Sequence, residues 1–129
     1  MSKSQSDGSS CPTEQEVSRL VECYQCGRLT EAEDLSRQII HRFPEYQLAW
    51  KVLAAVLGAT GRNSEAKVAN STLVALAPED AEAHCNLGNT LSELGELDQA
   101  EASYRRALAL RPHFALAHGN LAVALKKLD

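Results

Sequence analysis

Pro44, Pro78 and Pro112 fall 34 residues apart, as do Gly27, Gly61 and Gly95, and Ala32, Ala66 and Ala100. Three residue types returning in one phase mark an internal repeat. A repeat of this length is one supersecondary unit that cannot bury its apolar face alone and must stack on its neighbours. Further positions keep the phase: Ala49, Ala83 and Ala117; Leu53, Leu87 and Leu121; Leu57, Leu91 and Leu125, with Cys23 one period before Leu57. The phase cuts the chain into units at residues 13–46, 47–80 and 81–114, with an incomplete fourth at 115–129. Residues 1–12, "MSKSQSDGSSCP", are Ser-rich and carry no aromatic side chain, so they have nothing to bury and are expected to form a flexible leader.

Within each unit the apolar spacing is helical. Leu87, Leu91 and Leu94 make one stripe, and Ala100, Tyr104, Ala107 and Leu108 make a second. Gly27, Gly61 and Gly95 stand between the two runs, where a residue that enters the left-handed region freely ends the first helix. The prolines close the second helix because they cannot continue it. The expected fold is therefore all-α, an array of antiparallel helix hairpins. Leu20, Ala54, Gly88 and Ala122 on the first helices, and Ala32, Ala66 and Ala100 on the second, are expected at the crossings within hairpins.

This phase resembles the tetratricopeptide repeat, and the resemblance covers about nine tenths of the chain. In the third unit the family's positions read His84, Leu87, Gly88, Leu91, Ala100, Tyr104, Ala107 and Pro112. The second unit departs at Asn70, where a large side chain is usual, and the first is the most degraded, with Ser36 in that place. The resemblance implies a right-handed superhelical solenoid whose concave wall is built by first-helix side chains. Those are Lys51 and Ala55, then Glu82, Asn86, Asn89 and Glu93, then Asn120, Val123 and Lys127. The third unit is also similar to the repeats that precede O-linked N-acetylglucosamine transferases. There an asparagine before the Leu-Gly pair holds the backbone of an extended polypeptide, and Asn86 and Asn120 match it; Ser18 and Val52 stand in the earlier units. A further branch clamps the C-terminal carboxylate of chaperones. Lys51 and Asn86 match that clamp, but Ala55, Leu116 and Asn120 depart from it, so no clamp is expected.

The chemistry of an enzyme is missing from the pattern. Cys23 and Cys26 have a CxxC spacing with no second pair, and Cys23 falls in the apolar phase, so burial as a small hydrophobe is expected over a metal or redox role. His84 and His118 take the register of Trp50 and are expected to pack between units. Glu93, Glu96 and Asp98 read as solvated or helix-capping groups, and Cys85 as groove-facing. No serine lies in a nucleophile elbow, and the glycines follow no strand, so neither hydrolysis nor a phosphate loop is expected. No catalytic residue, metal or cofactor is expected.

Seventeen acidic against 13 basic side chains give a formal charge of −4, with no Lys and Arg run to neutralise phosphates. The longest nearly apolar run, residues 52–59, is far below a bilayer span. Nucleic acid and membrane are therefore not expected partners, and the expected compartment is the cytoplasm. The expected function is a non-catalytic scaffold that binds a peptide or extended segment in its groove. The alternative is a structural spacer or self-association module of a larger, transferase-like protein. The fourth unit stops at the hairpin turn with Leu121, Ala124, Leu125 and Leu128 as its apolar set. A further helix is expected to follow and pack there, or a weak homodimer to form through the C-terminal helix.

Overall fold

A computed structural model describes residues 11–129 and places seven helices in them: α1 (Glu14–Gln25), α2 (Leu29–Arg42), α3 (Gln47–Ala59), α4 (Asn63–Leu76), α5 (Ala81–Glu93), α6 (Leu97–Leu110) and α7 (Ala115–Leu128). Helices α1/α2, α3/α4 and α5/α6 form the hairpins of the three full units, and α7 opens the fourth. Each helix packs on its chain neighbours, and the first helices also touch one unit on, α1 against α3 and α5 against α7. The result is an all-α stack of helix pairs, as the period requires. The leader expectation falls mostly on residues 1–10, outside the described residues; Pro12 is buried at the start of the array.

The punctuation acts as the chemistry of Gly and Pro predicts. Gly27, Gly61 and Gly95 have φ of 78°, 77° and 79°, the left-handed region that costs a side chain energy. There the chain doubles back, and the N–H groups of Arg28, Arg62 and Glu96 donate to the carbonyls of Cys23, Leu57 and Leu91 at 2.8, 2.9 and 2.9 Å. At the other turn Trp50 Nε1 donates to the Pro44 carbonyl at 2.7 Å, and His84 and His118 place Nε2 at 2.9 and 2.8 Å from the carbonyls of Pro78 and Pro112. A carbonyl only accepts, so both imidazoles carry their proton on Nε2 and are structural ties. In the first unit the same register holds Glu16, which closes a capping box with Thr13.

At the hairpin crossing Gly88 faces the Tyr104 ring so closely that a Cβ there would lie 2.6 Å from a ring carbon. The corresponding pairs are Ala54 with Asn70 and Leu20 with Ser36, all buried. The large residue thus changes helix from unit to unit. Leu20 takes the space on the first helix where Ser36 is small, and Tyr104 takes it on the second where Gly88 has no side chain.

Three sequence expectations are corrected. Cys85 does not face the groove; it is fully buried among Leu91, Tyr104 and Leu121, because α7 closes over it. Burial raises its thiol pKa, a hydrogen bond from Asn120 offsets part of that, and Glu82 adds to the rise. Glu96 stands at the N-terminus of α6 without a side-chain cap and instead pairs with Lys67 at 2.7 Å. The apolar set of α7 is already half used: Leu121 and Ala124 are buried against the array, and the side chains left open are Leu116, Val123 and Leu128.

Candidate functional site

The inner wall of the stack carries a hollow of about 350 Å³ between α3 and α5. Lys51 and Ala55 line it from α3, Asn86, Asn89 and Thr90 from α5, and Asn70 and Leu73 of α4 form its floor. Four of the nine residues expected on this wall are therefore brought together. Glu82, Glu93, Val123 and Lys127 lie exposed on α5 and α7 outside the hollow, and Asn120 joins it through Asn89. Tyr24 also lines the hollow and was not expected there. Its signal is one period away: Gly58 stands in its register on α3, with open space where a Cβ would be.

Hydrogen bonds fix much of this wall from behind. Asn89 Oδ1 accepts from Tyr104 Oη at 2.7 Å and from Asn120 Nδ2 at 2.8 Å. Asn70 Nδ2 donates to Thr90 Oγ1 at 2.9 Å, and that hydroxyl donates to the Asn86 carbonyl at 3.1 Å. Burial, with the nearby Cys85 and Glu93, pushes the Tyr104 hydroxyl up to about 12, so it remains protonated and donating. Lys51 Nζ lies 3.4 Å from Asp80 Oδ2, and the other oxygen of Asp80 caps α5 by accepting from the Glu82 N–H at 3.0 Å. The Asn86 side chain is exposed and has no hydrogen-bond partner among the described residues.

The wall is thus an amide surface with one partly paired ammonium. Among the described residues no group of three His, Cys, Asp or Glu side chains is placed to hold a metal ion. Cys23 is buried and Cys26 exposed, which separates the two thiols of the CxxC spacing. A larger cavity, about 460 Å³, lies between α2 and α4 over Trp50, Leu53 and Leu57 of α3. It is an apolar furrow between second helices and holds none of the wall residues. No helix among the described residues is long and apolar enough to cross a membrane.

Comparison with known proteins agrees with this geometry. Residues 81–114 match the tetratricopeptide repeat. No curated protein matches the chain in sequence. Among solved structures, the first tetratricopeptide domain of Spaghetti (RPAP3), bound to an HSP90 peptide, is 19% identical with a TM-score of 0.86, over 94% of this chain and 98% of that one. The Yersinia enterocolitica type III secretion chaperone SycD, in complex with a peptide of the translocator YopD, is 19% identical with a TM-score of 0.83, over 90% and 94% of the two chains. A Thermobaculum terrenum O-GlcNAc transferase is 30% identical with a TM-score of 0.79, over 87% of this chain but only 22% of the transferase.

Proposed function

For a chain that carries a tetratricopeptide repeat at residues 81–114 within a stack of that kind, we propose a non-catalytic scaffold that binds an extended peptide segment on its inner wall. The observation that carries this reading is the unpartnered Asn86 amide at the rim of a hollow whose other amides are held in place from behind. A side-chain amide offers a donor and an acceptor, which suits the alternating groups of a main chain. Two structural neighbours that each hold a bound peptide, the Spaghetti (RPAP3) domain and SycD, support it. Asn120 belongs to the same surface by register, but its amide N–H is engaged with Asn89. A reducing compartment such as the cytoplasm suits the thiols of Cys23, Cys26 and Cys85.

The test is to pan a displayed random peptide library on the folded chain and titrate the enriched peptides. Asn86→Ala should weaken them about tenfold, the loss of one or two hydrogen bonds, without moving the melting temperature. Equal binding by wild type and variant would remove the groove reading. A second reading, weak self-association, rests on α7, where Ala122 and Leu128 are exposed and Leu125 is half-buried. Sedimentation at about 10 and 200 µM should show a concentration-dependent mass that Leu128→Lys abolishes; an unchanging monomer discards it. The likeness to the transferase keeps a third role in view, that of a spacer beside a transferase domain.

A further inference from the structure

We infer that the inner wall selects a peptide with two apolar side chains about six residues apart, held between Tyr24 at one end and Leu116 and Val123 at the other, while Asn89 donates to the peptide main chain between them. This rests on the peptide-binding reading above and adds the ligand's chemistry and the residues that read it.

The donor role follows from bonds already made. Asn89 Oδ1 is occupied by Tyr104 of α6 and Asn120 of α7. The amide is planar, with oxygen and nitrogen on opposite arms, so Nδ2 turns the other way, toward the hollow that Asn89 lines. No acceptor among the described residues takes its protons. A flip of the amide would set its Nδ2 against the Nδ2 of Asn120, two donors facing each other, so the contact with Asn120 holds this donor in place before any ligand arrives. The matching register positions are Ala55 and Val123, which leaves Asn89 as the one polar side chain in that row from α3 to α7.

The apolar ends follow from exposure. Tyr24, Leu116 and Val123 remain 40%, 57% and 52% exposed, although they are large and apolar. Tyr24 reaches the hollow from α1 across Gly58, and Val123 stands one period after Asn89 on the same row. Leu116 lies seven residues before Val123, two turns along the same helix face. Successive helices in such a layer sit about 10 Å apart, so α3 to α7 spans about 20 Å, the reach of about six extended residues. Lys51, Glu82, Glu93 and Lys127 surround the row with both signs of charge, which selects no net charge in the ligand.

A capped decapeptide of Ser and Gly with Leu at its second and eighth positions is the probe, and the same peptide with both Leu replaced by Ser is the control. Asn89→Asp is the decisive variant, since a carboxylate still accepts from Tyr104 and Asn120 but donates nothing. The Leu probe should bind wild type with Kd on the order of 100 µM, at least tenfold tighter than the control. Binding should fall at least tenfold with Asn89→Asp, and about as much with Val123→Ser. Equal binding of probe and control would overturn the apolar ends, and unchanged binding to Asn89→Asp would overturn the donor. If library peptides bind through Asn86 while the Leu probe does not, this inference fails and the groove reading stands. If nothing binds, both fall.

Discussion

Asn86 and Asn120 share one register yet differ in state, and the reason lies 31 residues before each. Asn120 finds the acceptor Asn89 there, whereas Asn86 finds Ala55, which has none. The period told which face both would occupy but not which would be engaged, because a bond between units depends on a pair of positions and each unit fills the pair differently. Cys85 shows the same limit: its counterpart Lys51 lines the hollow, and only the closure of α7 over α5 buries the thiol. Replacing Ala55 by Asn should therefore tie Asn86 as Asn120 is tied. Titration of a groove-binding peptide should then show several-fold weaker binding with the fold unchanged; stronger binding would contradict the pairing rule. The crossing gives a second prediction with two signs. Gly88→Ala drives a Cβ into the Tyr104 ring and should cost about 1–3 kcal/mol, while Gly119→Ala, in open space inside α7, should gain about 0.5–1 kcal/mol by restricting the unfolded chain. Thermal melts that move the same way for both would refute this account of the glycines.

At the scale of elements, helix boundaries were legible because Pro and Gly act locally, but the ion pairs between elements were not. Glu33 on α2 pairs with Arg62 before α4, and Lys67 on α4 pairs with Glu96 before α6. The positions repeat and the charges are reversed, so each unit meets its own neighbour with the correct sign. Lys67→Glu should destabilise, and Lys67→Glu with Glu96→Lys should recover most of it, a coupling of roughly 0.2–1 kcal/mol at this partly exposed site; no recovery would show that the pair does not set the joint. Glu16 closes the cap of α1 and also pairs with Arg42 at the end of α2. The Arg42 hydrogen bond, then that from the Thr13 N–H, lowers its pKa from 4.5 to about 2, against a small rise from burial. A folded-state pKa below the unfolded one means that this stabilisation is complete above about pH 4.5 and is lost as pH falls toward 2. The melting difference between wild type and Glu16→Gln should therefore shrink across that window, and a difference that stays constant would exclude the carboxylate as its source.

Across the whole molecule the apolar core is divided. One cluster joins α1, α2 and α3, a second joins α3 and α4, and a third joins α5, α6 and α7. None spans the junction of α4 and α5. Leu73 of α4 and Ala81 and Ala83 of α5 are buried there outside those clusters, and polar links tie the two sides: Asn70 on α4 to Thr90 on α5, Lys67 on α4 to Glu96 before α6, and Lys51 on α3 to Asp80 before α5. Stacked repeats unfold by the balance of unit stability and interface strength, so a weak interface lets the two sides open separately. Hydrogen bonds and partly exposed ion pairs contribute about 1 kcal/mol or less each, well below what a buried apolar contact of similar size supplies. The single tryptophan, Trp50, lies on the α1–α4 side, so its fluorescence follows that side alone, while the helical circular dichroism signal follows all seven helices. Urea titrations read by the two signals should give different midpoints. Asn70→Leu with Thr90→Val replaces the buried polar pair by apolar side chains, leaves no amide unsatisfied, and should bring the midpoints together. Coincident transitions in the wild-type protein would show that the polar junction couples the halves as strongly as an apolar one. Distinct transitions would mean that the hollow, floored by Asn70 and edged by Thr90, sits over the joint about which the stack can bend, so a peptide bound there should raise the lower midpoint toward the upper.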